Sequence, residues 1–354
     1  MELKITRLDN PTQHVEAPDH FGTVMGDHMF AMHYKDGIGW HDAEIKPYEN
    51  LSLSPAAQIL HYGQAIFEGM KAYENNGEIQ LFRPNENFER LNRSAKRIAM
   101  PTVDVDFMVD ALKQLVDIDR AFVPTEEGQA LYIRPFMIAT EPQVGLDVSH
   151  EYQMIIITSP VKSYFSGGLK PIDIYVEQQY VRAVRGGTGF AKVAGNYAGS
   201  LIGQQKAADK GCSQAMWLDG VERKYIEEVG SMNIFFKIDG KIITPKLNGS
   251  VLPGITRKSV IEILQDQGYT VEERPISIDE VIEAHEKGTL EEIFGTGTAV
   301  VIASVGKLVF EDDKEIIVND KQTGELTQDI YDTLTGIQFG DINDERCHHW
   351  IEKI

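Results

Sequence analysis

Lys192 stands in Gly189-Phe-Ala-Lys-Val-Ala-Gly195, with small residues on both sides and no acid beside it to share its charge. Burying an ammonium is costly, and desolvation favours the neutral amine, the form in which a lysine attacks a carbonyl to make a Schiff base. Taken alone, the segment also reads as a surface lysine in a flexible loop. A nucleotide reading fits it poorly: Gly186-Gly-Thr-Gly-Phe-Ala-Lys192 looks like part of a phosphate loop, but Val193 follows the lysine where Ser or Thr must hold magnesium. Gly295-Thr-Gly-Thr-Ala-Val300 likewise lacks the third glycine of a dinucleotide fingerprint. Near the C-terminus, Cys347-His-His349 offers one thiol and two adjacent imidazoles, which do not make a four-ligand site, so no metal is expected.

The elements that must position Lys192 divide into two groups. In the first half, strand-like runs at Ile79–Phe82, Ala130–Ala139 and Gln153–Thr158 alternate with helical patterns, one of them marked by Phe107, Ala111, Leu115 and Ile118. Residues 159–171 collect prolines, serines and a Gly pair, the composition of a connector. Beyond it, short strands are expected at Gln214–Leu218, Tyr225–Val229 and Asn233–Ile238, the first two joined by an Asp219-Gly220 turn. Helical patterns run over Tyr197–Ala208 and Thr256–Gln265. This predicts a mixed α/β (α+β) chain of two domains, residues 1–158 and 172–354, joined by 159–171.

Composition narrows the function classes. At 354 residues, with 42% hydrophobic and 25% charged residues, the chain is globular and long enough for two cores. A formal charge of −20 argues against a nucleic-acid footprint, so any anionic ligand must be held by a few local cations and backbone amides. No run suggests a membrane span or signal peptide, and the two cysteines, Cys212 and Cys347, suit a reducing compartment; a cytoplasmic enzyme is expected.

Seven segments carry a family resemblance. Lys192-Val-Ala-Gly-Asn-Tyr197, Glu228-Val-Gly-Ser-Met-Asn233, Leu252-Pro-Gly-Ile-Thr-Arg257 and Phe294-Gly-Thr-Gly-Thr-Ala299 resemble, in order, the signature of class IV (fold type IV) aminotransferases. Phe21-Gly-Thr-Val-Met-Gly-Asp-His28, His61-Tyr-Gly-Gln-Ala-Ile-Phe-Glu-Gly-Met-Lys-Ala72 and Leu131-Tyr-Ile-Arg-Pro135 resemble the branched-chain-amino-acid aminotransferases among them.

That resemblance implies pyridoxal 5'-phosphate as cofactor, at the interface of a smaller N-terminal and a larger C-terminal domain, in a homodimer. Lys192 would form the internal aldimine and, once freed, move the substrate's proton. Tyr197 would donate to the cofactor's phenolic oxygen, and Glu228 would face the pyridine nitrogen, where a carboxylate keeps the ring an electron sink. Glu227, its neighbour, is the alternative if the register slips by one. The resemblance also implies a phosphate held by Arg90, with Arg93 and Arg97 as competitors on the same helical stripe, by Thr298, and by the amides of Ile255 and Thr256 at a helix N-terminus. Thr298 and Ala299 amides would receive the substrate's α-carboxylate. Phe21, Tyr62, Tyr132 and Tyr164 match wall positions of an aliphatic pocket, with Arg134 available to a second carboxylate.

The implied reaction is ping-pong transamination of leucine, isoleucine or valine with 2-oxoglutarate, giving branched-chain 2-oxo acids and glutamate. A D-amino-acid aminotransferase or an aminodeoxychorismate lyase would share Lys192 and Glu228, but the Tyr-Ile-Arg-Pro and His-Tyr-Gly segments disfavour them. A non-catalytic binding protein on the same fold is the remaining rival. One departure stands out: where the vertebrate branch carries a Cys-x-x-Cys redox pair, this chain has Val300 and Ala303, so no thiol switch is expected.

Overall fold

A computed structural model describes residues 1–163 and 168–354. The chain forms two compact units, one of Met1–Ser163, Lys192–Ala194 and Gly336–Ile354, the other of Tyr164–Ala191 and Gly195–Thr335. Among the described residues, each unit is built on a nine-stranded sheet.

In the first unit the central strand is Ala130–Ala139, almost wholly buried. It pairs antiparallel with Glu151–Val161 from Ala130↔Val161 to Ala139↔Tyr152, so Ser159 and Pro160 are strand residues facing Tyr132 and Leu131. Its other edge is shared by Ala65–Phe67 and Met70–Asn75. Strand side chains alternate between faces, so Tyr132 and Arg134 point the same way. The helices Pro84–Arg97 and Val105–Ile118 bury Phe88, Leu91 and Ala95, and Met108, Ala111, Leu112 and Leu115. The first opens on a proline, where a missing N–H costs nothing; the second is capped by Asp104, which accepts the Phe107 N–H at 2.9 Å. Ile351–Lys353 returns to the sheet beside Glu78–Phe82, and Gln80 Nε2 donates to the Gln338 carbonyl at 2.8 Å.

The second unit's sheet mixes parallel and antiparallel pairs, with Ile226–Val229 at one edge, then Gln214–Leu218, Ile172–Glu177, Val301–Val309, Leu290–Gly297 and Asn233–Ile238. One face buries Met216, Leu218, Val229, Ile234, Phe236, Ile293 and Val305. On the other, Trp217 lies under the helix Leu201–Asp209, where a side chain on Gly203 would collide with its ring. Two local expectations need correction. The helix expected over Tyr197–Ala208 is broken into Ala194–Ala198 and Leu201–Asp209, because Ser200 turns its N–H (3.1 Å) and its hydroxyl (2.7 Å) onto the Tyr197 carbonyl. Asp219-Gly220 is not a tight turn: the Asp219 carboxylate gathers the N–H groups of Val221, Glu222, Lys224 and Tyr225 into a longer loop.

Among the described residues, no helix is long and apolar enough to cross a membrane, and no cluster of His, Cys, Asp and Glu is arranged to hold a metal.

Candidate active site

In the first unit, Lys192 is anchored through its backbone. Its N–H donates to Ser94 Oγ at 2.8 Å, its carbonyl accepts the Phe67 N–H at 3.1 Å, and Val193 bridges Ile66. That addition to the edge of Ala65–Phe67 fixes the chain and leaves the side chain to act; Nζ stands 4.8 Å from the centre of the Phe67 ring. The same ring carries the Arg134 guanidinium at 4.8 Å. Arg134 Nη2 donates to the Tyr132 hydroxyl at 2.9 Å, and Phe21 meets Tyr132 edge-on with ring centroids 4.8 Å apart. Gly69 is required here, because a Cβ would strike the Tyr132 hydroxyl. The Arg134 Nε is buried without a hydrogen-bond partner.

Sequence reasoning passed over two residues of this cluster. Phe67 stands inside the His61–Ala72 segment with nothing local to mark it, yet it lies against both cations. Lys71, directly across from Tyr132 on the neighbouring strand, is fully buried, and burial pushes its ammonium down to about 8. Tyr62 is engaged elsewhere: its hydroxyl donates to the Val144 carbonyl, and the ring is 41% exposed. Tyr164 lies outside the described residues.

Arg90 separates itself from its competitors by burial. Its guanidinium meets Glu68 in a two-point pair, Nε to Oε1 and Nη2 to Oε2, both 2.8 Å, with both residues buried. Arg93 is exposed and reaches Glu89 only at 3.9 Å. A buried two-point pair holds a guanidinium plane in place, so Glu68 orients Arg90.

The second unit holds the carboxylates and the helix start. Glu228 is the cross-strand neighbour of Trp217; its Oε1 accepts the Leu252 N–H at 2.6 Å and its Oε2 lies 3.1 Å from Arg182 Nε. It lines a cavity of about 270 Å³ together with Tyr197, Asn196, Arg182 and Ser231. Glu227 points to the opposite face, where Ser250 Oγ donates to it and Asn248 Nδ2 lies at 3.3 Å. The helix Ile255–Asp266 starts after Gly254, with Ile255 and Thr256 buried in its first turn, where amides lack partners inside the helix. A Cβ on Gly254 would strike Asn233 Oδ1. Asn233 pairs in register with Thr296, whose buried hydroxyl has no hydrogen-bond partner. Thr298 and Ala299 are half-buried in the turn that follows, and that turn is closed by Val301 at φ +64°, a conformation a β-branched residue adopts only under strain.

Residues 65–308 match the family model for amino-transferase class IV. The chain is 58% identical over 326 residues to a probable branched-chain-amino-acid aminotransferase of Staphylococcus aureus (strain N315), spanning 92% of this chain and 91% of that one. It is 50% identical over 345 residues to branched-chain-amino-acid transaminase 1 of Bacillus subtilis (strain 168), spanning 96% and 97%. The crystal structure of the Escherichia coli branched-chain amino acid aminotransferase matches with a TM-score of 0.75 at 25% identity, covering 92% of this chain and 99% of that one. With a lysine, a buried carboxylate and a helix start in the family's order, and with these relatives along nearly its whole length, the chain belongs to the class IV aminotransferases, in the branched-chain-amino-acid aminotransferase group.

Proposed function

We propose that this chain transfers the amino group between leucine, isoleucine or valine and 2-oxoglutarate, with pyridoxal 5'-phosphate as its cofactor. The observation that carries the reading is the cluster of Phe67, Tyr132 and Arg134 beside Lys192. Ring walls suit an aliphatic side chain, while a half-buried guanidinium whose buried Nε is unfilled suits the second carboxylate of 2-oxoglutarate. Lys71 adds a second basic group to that face. The names of the Staphylococcus aureus and Bacillus subtilis relatives support a branched-chain amino acid as the substrate.

The residues present fit the cofactor. Arg90, the amides of Ile255 and Thr256 and the hydroxyl of Thr298 would hold its phosphate, and the orphaned Thr296 hydroxyl beside Asn233 is a further donor of the right kind. Tyr197 would donate to the phenolic oxygen and Glu228 would keep a proton on the ring nitrogen. When bound, pyridoxal phosphate supplies an electron sink for the pair released as the substrate's α-proton departs. Lys192 would hold the cofactor at rest and, with its amine free, would move that proton as a general base. The amides of Thr298 and Ala299 receive the α-carboxylate, which leaves Arg134 for whatever the far end of the substrate carries.

An amino-donor panel with 2-oxoglutarate tests the substrate class: turnover of leucine, isoleucine and valine is expected, and a preference for D-amino acids would overturn it. Arg134→Gln separates the two half-reactions. Losing a charge-assisted hydrogen bond costs on the order of 1.5–3 kcal/mol, roughly ten- to a hundredfold in binding. That loss should fall on 2-oxoglutarate and glutamate, with the leucine half-reaction little changed. Equal losses with the cofactor still bound would remove the dual-substrate pocket.

The proposal extends to a homodimer in the cytoplasm. Leu60, Tyr62, Val144 and Leu146 of the first unit are exposed, Leu146 by 81%, and a second copy would cover them. Sedimentation as a monomer at micromolar concentration would remove the dimer from the reading. Cys212 and Cys347 are free thiols, at ease in a reducing compartment; finding the protein secreted would overturn that placement.

A further inference from the structure

We propose that Arg182 is the positioning residue of this site, a single buried guanidinium that sets the orientation and charge balance of Glu228 and ties it to the two loops beside it. The proposal rests on the reading of Glu228 as partner of the ring nitrogen.

No motif marks Arg182; it follows the strand Ile172–Glu177 in a stretch without regular structure. Its side chain is nonetheless only 6% exposed. Nη2 donates to the Ser250 carbonyl at 2.6 Å and, at 3.3 Å, to the Gly189 carbonyl. Nε lies 3.1 Å from Glu228 Oε2 but lacks the alignment of a hydrogen bond, so that contact is chiefly one of charge. The other carboxylate oxygen takes the Leu252 N–H. Glu228 thus meets a cation at one oxygen and an amide at the other.

The two carbonyls belong to different loops. Gly189 precedes Lys192 in the chain, while Ser250 and Leu252 lead into Gly254 and the helix start. These loops run backbone against backbone, since a Cβ on Gly189 would strike the Ser250 carbonyl oxygen. Nη2 sits on that seam.

A buried carboxylate needs a compensating charge, and breaking such a pair leaves the survivor uncompensated. With Arg182 in place, Glu228 can leave a shared proton on the ring nitrogen. Without it, Glu228 would retain more of that proton, the ring would be less positive when the cofactor is bound, and its visible band would titrate at higher pH. Lysine is not an equivalent substitute: it restores the charge but not the fork that reaches both carbonyls.

The test uses holoenzyme of Arg182→Met, Arg182→Lys, Glu228→Gln and the Met/Gln double variant. The readouts are the pH midpoint of the bound cofactor's visible band and the rate of cofactor release on dilution. Arg182→Met should raise the midpoint by about one pH unit, a tenfold change in proton affinity. Arg182→Lys should keep the wild-type midpoint and release cofactor several-fold faster. In the Glu228→Gln background, Arg182→Met should move the midpoint no further, since coupled residues are not additive. A normal midpoint in Arg182→Met, or the same shift with and without Glu228, overturns the proposal. If Arg182→Met does not fold, Arg182→Lys decides: wild-type release overturns it. A normal midpoint in Glu228→Gln itself would show that the ring-nitrogen reading has failed first, taking this proposal with it.

Discussion

Lys192→Ala is expected to give a folded protein that no longer attaches pyridoxal phosphate covalently and turns over about 10⁴-fold more slowly or worse, the upper end of what a positioned general base contributes. Folding should survive because the residue is anchored by its backbone, through Phe67 and Ser94, and alanine keeps both bonds. The side-chain contacts removed include the one with the Phe67 ring, about 0.5–2 kcal/mol for a cation over an aromatic face, so the melting temperature should fall by a few degrees. Borohydride reduction followed by peptide mapping is the direct check. In the wild type the reduced cofactor should sit on Lys192 and in the variant nowhere. Recovery on another lysine would sink the assignment even if the variant were inactive.

Glu228→Gln should retain the cofactor and lose roughly 10²–10³-fold in turnover, the scale for removing one well-placed electrostatic partner. Glu227→Gln should be mild. The two side chains leave the strand Ile226–Val229 on opposite faces: Glu228 lines the cavity with Tyr197, while Glu227 is occupied by Ser250 and Asn248. An amide at 227 can still serve Ser250, whereas an amide at 228 no longer favours a protonated ring nitrogen. Steady-state kinetics on both variants settles the register, and reversed effects would transfer the role to Glu227.

The legibility of the sequence follows the range of the interactions. Strands such as Ala130–Ala139 and Asn233–Ile238, and the helix at Ile255–Asp266, are marked by local periodicity and end signals, and their bounds match or nearly match. Lys192 stands out by its small neighbours and the helix start by Pro253-Gly254, whereas Glu228 is marked only through the resemblance of its segment to the family signature. Arg182, Glu68 and Phe67 carry no such mark, because each acts through a partner distant in sequence. Glu68 and Arg90 meet from 22 residues apart, and Arg182 reaches Ser250 across 68. Breaks of the kind at Ser200 are equally hidden, since a serine can continue a helix or turn its hydroxyl onto a carbonyl with little to choose between them.

The pairing of Lys192 and Val193 with Ile66 and Phe67 has a consequence for how the chain is made. Synthesis runs from the N-terminus, and the strand Ala65–Phe67 can find its partner Phe136–Ile138 long before residues 192 and 193 emerge. Until they do, one side of that strand presents unpaired amide and carbonyl groups at Ile66 and Phe67, an open template for another chain. Lys192 therefore doubles as an edge guard, and its contact with Ser94 closes over 98 residues of sequence. A fragment ending at Ser163 would lack that guard permanently and would leave the backbone groups of Ile66 and Phe67 open on that side.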